Sequence, residues 1–245
     1  MTDYFAAAPT ASGMIRSTLR LHGKLLGLAA LVLSAGLAHA AEPWKILPPT
    51  PPLPAHAHEA HADVNGVRIW YAQWNDQAAG VPVLLLHGGY ANSNYFGHLI
   101  PALAKHGFRV IAMDSRGHGR STRNAAPYTY HLMKNSVFAA YLTRVRQEYL
   151  ALSPTPNDWD GFNAAVNKMW ETLPAFTAAQ LKSFSTPTTI ADGEHDEGIR
   201  PEHNRYLAAT IPGARLVILP NVSHFAMLQN PAEFNGAVLD FLARE

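Results

Sequence analysis

The segment PVLLLHGG, Pro82–Gly89, constrains the fold more than any other stretch of the chain. A continuous apolar run that stops at glycines reads as a strand buried on both faces, which requires helices packed on each side of its sheet. The neighbouring segments fit that frame. SNYFGHLIPALAKHG carries Phe96, Ile100 and Leu103 at helical spacing, with Gly107 just past the end. FRVIAMDSRGHG supplies a second buried strand, Arg109–Met113, ending at Asp114. Strand, helix and strand in alternation predict a parallel sheet with helical crossovers. Upstream, VNGVRIWYAQW predicts a hairpin made of Val64, the turn Asn65-Gly66 and the alternating strand Val67–Trp74.

Between 134 and 185 the pattern changes to helices only. One apolar stripe runs through Val137, Tyr141, Val145 and Tyr149; a second runs through Trp159, Phe162, Val166 and Met169. Thr177 is placed to cap a short third helix. Alternation then resumes with a strand at Thr188–Ala191, opened by Pro187, and a last strand at Ala214–Pro220. Asn230, Pro231 and Glu233 have the types and spacing of a helix start, so a final helix is expected to follow.

The first forty residues stand apart. Arg16, Arg20 and Lys24 precede the apolar run Leu25–Leu37, and Ala38-His39-Ala40 follows as an A-x-A site. Thirteen residues are short for a membrane span, which needs roughly 20. The expectation is an export signal, residues 1–40, cut after Ala40, which leaves no stable membrane span; an uncleaved N-terminal anchor is the alternative. Met14 is a possible start as well as Met1, because residues 1–13 lie outside the signal pattern.

Residues 41–62 are expected to be a tether. EPWKILPPTPPLP holds six prolines in thirteen residues, which favours an extended polyproline stretch. HAHEAH follows, with His56, His58 and His61 around Glu59. A metal site is conceivable there, but nothing local fixes the side chains, and no metal is expected. The folded domain is expected over 63–245, with 134–185 as a helical lid.

Composition excludes several classes. The net charge is +1 with no long basic run, so no nucleic-acid partner is indicated. Without cysteine there is no disulfide framework, thiolate zinc site, iron–sulfur cluster or cysteine nucleophile. The thirteen histidines invite a search for base catalysis.

Four segments carry that search further: LLLHGG (Leu84–Gly89), DSRGHGRS (Asp114–Ser121), ADGEHDE (Ala191–Glu197) and NVSHFAMLQNP (Asn221–Pro231). In this order, each at the end of an expected strand, they resemble the α/β-hydrolase family, in particular its esterase-like members with a helical lid. The resemblance spans Asp63 to the C-terminus. It implies an α/β parallel-sheet sandwich and an oxyanion hole from the N–H of Gly89, with Tyr90 beside it. It also implies a loop braced by His87, Gly88, Asp114 and Arg116. Asp196, three residues past Gly193, matches the family's acid, and His224 matches its base. His118 is a second histidine to weigh as a base, though the family uses its motif structurally. Glu194, His195 and Glu197 read as solvated neighbours. The implied substrate is an ester or related small acyl compound, and hydrolysis needs no cofactor.

The family's serine sits in G-x-S-x-G at a sharp strand-to-helix turn. No such pentapeptide occurs in this sequence. The helix that begins around Thr129–Met133 runs straight into lid-like sequence, so the expected sheet is truncated at its centre. At least ~40 residues are missing by ordinary element lengths, with the seam near Met133/Lys134. LLLHGG and Thr188–Ala191 would each lose a neighbour, and would either pair with each other or leave open edges. Ser93, Ser115, Ser121 and Ser136 are nearby hydroxyls, none in an elbow context, so no nucleophile is assigned. Three readings follow: an impaired ester hydrolase, a His–Asp base without covalent catalysis, or a non-enzymatic binding protein or remnant.

Overall fold

A computed structural model describes residues 42–124, 136–170 and 175–244. The expected export signal, the Thr129–Met133 segment and the Met133/Lys134 seam lie outside the described residues. The chain divides at Ala41/Glu42, and the unit from Glu42 onward contains everything that follows.

Its first sheet has the order β1-β2-β4-β3, formed by β1 (His58–Val64), β2 (Val67–Trp74), β3 (Val83–Leu86) and β4 (Val110–Met113). Asn65 and Gly66 both take positive φ, 50° and 77°, the requirement of a tight hairpin turn between antiparallel strands. β2 buries Val67, Trp70, Ala72 and Trp74 and pairs antiparallel with β4, which pairs parallel with β3. The sheet is therefore mixed, parallel only where helix α1 (Leu99–Lys105) crosses from β3 to β4. Gly107, at φ 85°, lets the chain leave that helix.

The tether ends earlier than the sequence suggests. β1 starts at His58 because His58–Ala62 pair with Ile69–Gln73 of β2, so most of HAHEAH is edge strand. His56, His58 and His61 are exposed along it, and His56 meets Glu59 at 3.4 Å. Among the described residues no group of three or more His, Asp or Glu side chains converges as a metal site.

The region expected to be a lid holds α2 (Ser136–Leu152), α3 (Trp159–Trp170) and α4 (Ala178–Lys182). Both apolar stripes turn inward: Val137, Tyr141, Val145, Tyr149, Phe162 and Val166 are all buried. Thr177 and Gln180 close a reciprocal capping box on α4. A second sheet pairs β5 (Thr189–Gly193) parallel with β6 (Arg215–Leu219), joined through α5 (Pro201–Thr210). The chain ends with α6 (Ala226–Gln229) and α7 (Pro231–Leu242), the latter capped by the Asn230 side chain.

Among the described residues β3 and β5 do not pair with each other; each has one strand neighbour. The described residues hold no strand between β3 and β5, and Leu84 and Leu86 on β3 are 52% and 60% exposed. Three apolar clusters hold the pieces together. The first sheet packs on α1 and on Phe234, Val238, Leu239 and Leu242 of α7. Phe234 also packs on Leu219, Val222 and Ala226 beside β6. The lid cluster joins Tyr90 and Tyr95 to Phe225 and Leu228.

Candidate active site

Asp196 and His224 come from loops that leave β5 and β6 side by side. Gly193 ends β5 against the backbone carbonyls of Val222 and Ser223, where any Cβ would collide. That close approach permits His195 N–H to donate to Val222 O and Glu194 N–H to donate to Leu219 O, each at 2.9 Å. Asp196 then accepts from the Gly198 and Ile199 amides on Oδ1, at 2.6 and 2.7 Å. Its Oδ2 accepts from His224 Nδ1 at 2.8 Å. The carboxylate is 2% exposed and the imidazole 40%, so the acid is covered and the ring reaches outward.

The electrostatics follow from that burial. Burial pushes the Asp196 carboxyl up, but the hydrogen bond and charge of His224 outweigh it and hold it below the carboxylate range. Burial pushes His224 down, yet the Asp196 hydrogen bond and the charges of Asp196, Glu197 and Asp192 raise it above its ordinary 6.5. Asp192 is driven up to about 7 by burial and by its hydrogen bond to Asp196, against donation from Asn204 and the Gly193 amide. A carboxyl that gives up its proton only near neutrality thus neighbours the Asp–His pair.

Residues that looked merely solvated in the sequence build this site. Glu197 accepts from the His224 amide at 3.2 Å. Glu194 accepts from the Asn221 amide at 3.1 Å, and His195 stacks on Trp44 with ring centroids 4.0 Å apart. Gln229 accepts from the Ser223 amide at 2.7 Å. Family motifs point to Asp196 and His224; nothing in the sequence points to Gln229, whose amide has no sequence signature.

The HGG loop is held against the DSRGHG segment. His87 accepts from the Ser115 amide at 2.9 Å through Nε2 and donates from Nδ1 to Gly88 O at 2.8 Å. Buried Asp114 accepts from the Ser93 amide at 2.8 Å and from Arg120 at its backbone (2.9 Å) and guanidinium (3.1 Å). A Cβ at Gly119 would strike that carboxylate, and Gly119 has φ 50°. Arg116 reaches outward to Asn124 at 2.6 Å.

Tyr90 sits beside the expected Gly89 donor. Its amide donates to His118 Nε2 at 3.3 Å, so that N–H is already committed, and its backbone is held at φ 64°. His118 is 4% exposed and burial lowers it to about 3, so the ring stays neutral and acts as an acceptor. Gly89 lies under the Trp170 ring, which a Cβ would strike, and its carbonyl accepts from the Tyr141 hydroxyl at 2.7 Å.

Gly89 and His224 line different cavities. The first, of about 440 Å³, is bounded by His87, Gly88, Gly89, Ser115, Arg116, His118, Met169 and Trp170. The second, of about 260 Å³, includes Asp192, Ile199, Asn204, His224, Met227 and Phe234. Ser93 and Ser121 are buried, and Ser121 Oγ donates to Asp114 O. Ser115 lines the first cavity; the Ser136 side chain is outside the described residues.

A strand-end Asp–His pair, a braced glycine loop and a helical lid define the class of α/β hydrolases. Family models agree: one described as the alpha/beta hydrolase fold matches 81–154, and one described as the alpha/beta hydrolase family matches 125–237. The chain belongs to the α/β-hydrolase family. A putative protein-lysine deacylase of Rattus norvegicus is 29% identical over 203 residues, covering 75% of this chain and 95% of that protein. Epoxide hydrolase A of Mycobacterium tuberculosis is 39% identical over 75 residues, 30% of this chain and 23% of that protein. Among solved structures, an enol-lactonase from Burkholderia xenovorans has a TM-score of 0.57 at 18% identity, over 75% of this chain and 100% of that one. A carboxylesterase from Bacillus subtilis has a TM-score of 0.57 at 17% identity, over 83% of this chain and 94% of that one. These structures share the fold.

Proposed function

We propose that the protein is an exported α/β hydrolase of the ester-hydrolase type that keeps its acid, base and glycine loop but lacks the G-x-S-x-G serine. Ordinary serine-dependent acyl transfer is therefore impaired. The observation that carries this reading is the 2.8 Å contact from buried Asp196 to His224 Nδ1. With Nδ1 engaged, proton exchange passes through Nε2, the nitrogen that a serine hydrolase uses. The substrate class is an ester or related acyl compound, which the deacylase and carboxylesterase names of similar proteins support. Export rests on the Arg16–Ala40 pattern of the sequence.

The test is a fluorophosphonate serine probe on the wild type and on His224→Ala, with peptide mass spectrometry and an active hydrolase labelled in parallel. No adduct is expected. A serine adduct that disappears in His224→Ala overturns the impairment.

A second reading, proton abstraction by His224 without a covalent intermediate, is favoured by the cavity that His224 itself lines. Turnover abolished by His224→Ala, with no probe adduct, would select it.

A further inference from the structure

The proline-rich segment 42–54 lies along the molecule as a strap. Proline has no N–H, so an extended proline run offers carbonyls to any donor beside it and loses little chain freedom on being laid down. The donors are side chains far away in sequence. Gln229 Nε2 donates to Ile46 O at 2.9 Å and to Trp44 O at 3.4 Å. Arg144 of lid helix α2 donates to Pro48 O at 2.5 Å and to Leu47 O at 3.0 Å. Trp74 Nε1 of β2 donates to Pro54 O at 3.1 Å. The Thr50 hydroxyl donates to Glu148 of α2 at 2.6 Å. Gly97 has no Cβ to obstruct Pro51 and the Pro52 carbonyl.

The leading end of the strap meets the Asp–His pair from both sides. Trp44 stacks face to face on His195, the residue before Asp196, with an interplanar angle of 20°. Gln229 binds the strap with its Nε2 and, with its Oε1, the amide of Ser223, the residue before His224. Its Nε2 also reaches Ser223 Oγ at 3.1 Å. The acid loop and the base loop are thus each gripped one residue away from the reactive group. β5 lacks a second strand neighbour among the described residues, so its loop has less support from the sheet than a central strand would give.

We infer that the strap is a positioning element of the Asp196–His224 pair, with Trp44 holding the acid loop and Gln229 coupling the strap to the base loop. Neither residue touches the reacting groups; both act through a neighbour. The inference rests on the reading of Asp196–His224 as the reactive pair, and its test separates the two.

The test is the titration of the His224 ring followed by NMR, with the resonance assigned by its loss in His224→Ala. The carboxylates that raise the ring's affinity for a proton are Asp196, Glu197 and Asp192. Trp44 and Gln229 carry no charge; extra solvent at the ring would raise its pKa, so a fall on replacing them reports a weakened contact with the carboxylates. Trp44→Ala and Gln229→Ala are each expected to lower the His224 pKa by about half a unit or more. Trp44→Phe should restore it, because a ring remains to stack. Arg144→Ala, which cuts the strap only at the lid, should lower the melting temperature and leave the His224 titration unchanged. A wild-type titration in Trp44→Ala and Gln229→Ala, with lowered melting temperatures, overturns the inference and reduces the strap to a tie. Asp196→Asn is the check on the underlying pair: if it leaves His224 unshifted, that reading fails instead. Should Trp44→Ala not fold, Gln229→Ala and Trp44→Phe carry the test.

Discussion

Tyr141 donates its hydroxyl to the Gly89 carbonyl at 2.7 Å while its ring packs on Phe225, the neighbour of His224, at 4.9 Å between centroids. One lid side chain therefore touches the glycine loop and the base loop, although those loops line separate cavities. Tyr141→Phe keeps the ring and strands the carbonyl, so a loss of about 1 kcal/mol is expected. Tyr141→Ala also empties the lid core and should cost about 3–5 kcal/mol. Urea unfolding of both variants checks the order; no loss in Tyr141→Phe would mean the hydroxyl contact is idle.

Asp192 gives the stability a pH dependence of definite sign. Its folded pKa, about 7, lies above the ordinary value near 4, so the unfolded chain releases the proton first as pH rises. The stabilising contribution is complete below about pH 4 and is lost on the way up to pH 7. Asp192→Asn removes that slope and should gain about 1–2 kcal/mol on the wild type between pH 4 and pH 8. Melting temperatures across that range decide it: parallel curves would show that Asp192 ionises normally.

His118 behaves in the opposite sense. Burial lowers its folded value to about 3, whereas the unfolded side chain protonates near its ordinary 6.5. Its contribution is complete above pH 6.5 and drains away as pH falls toward 3. Ring signals of His118 should stay fixed from pH 8 to pH 5, while those of His224 move. A His118 midpoint near 6.5 would contradict its role as neutral acceptor for the Tyr90 amide.

The open side of β3 predicts self-association. Leu84 and Leu86 stand exposed on β3, whose second edge has no strand partner among the described residues, an arrangement that natural sheets avoid. Leu84→Lys with Leu86→Lys should suppress concentration-dependent light scattering and change stability by less than about 1 kcal/mol. Loss of folding in that variant would show the face to be covered rather than open.

Much of this architecture is legible along the sequence. The stripe Val137, Tyr141, Val145, Tyr149 reads as a buried helix face because helical packing writes a period into the chain. Asn65-Gly66 and Thr177 announce a turn and a cap by local chemistry. Asp196 and His224 are identifiable through their motifs. The strap is not legible: its contacts accept on backbone carbonyls, which every residue has, and the partners are as distant as Gln229 and Arg144. Glu197 looks like any surface acid until the fold brings the His224 amide to it. The engagement of the Tyr90 amide is illegible for a related reason, since a free N–H and one taken by His118 have the same sequence.

The split sheet has a further consequence for how the chain comes apart. Among the described residues no run of interstrand hydrogen bonds crosses from β3 to β5, so the halves share side-chain packing through Phe234, the lid and the strap but no backbone ladder. Ladders break as units, whereas packing loosens piecemeal. The β5–β6 half is thus expected to open as its own unit, with amides that exchange with solvent before those of β2 and β4. Asp196 and His224 belong to that half. Local opening would then reach the Asp–His pair before it reached the first sheet.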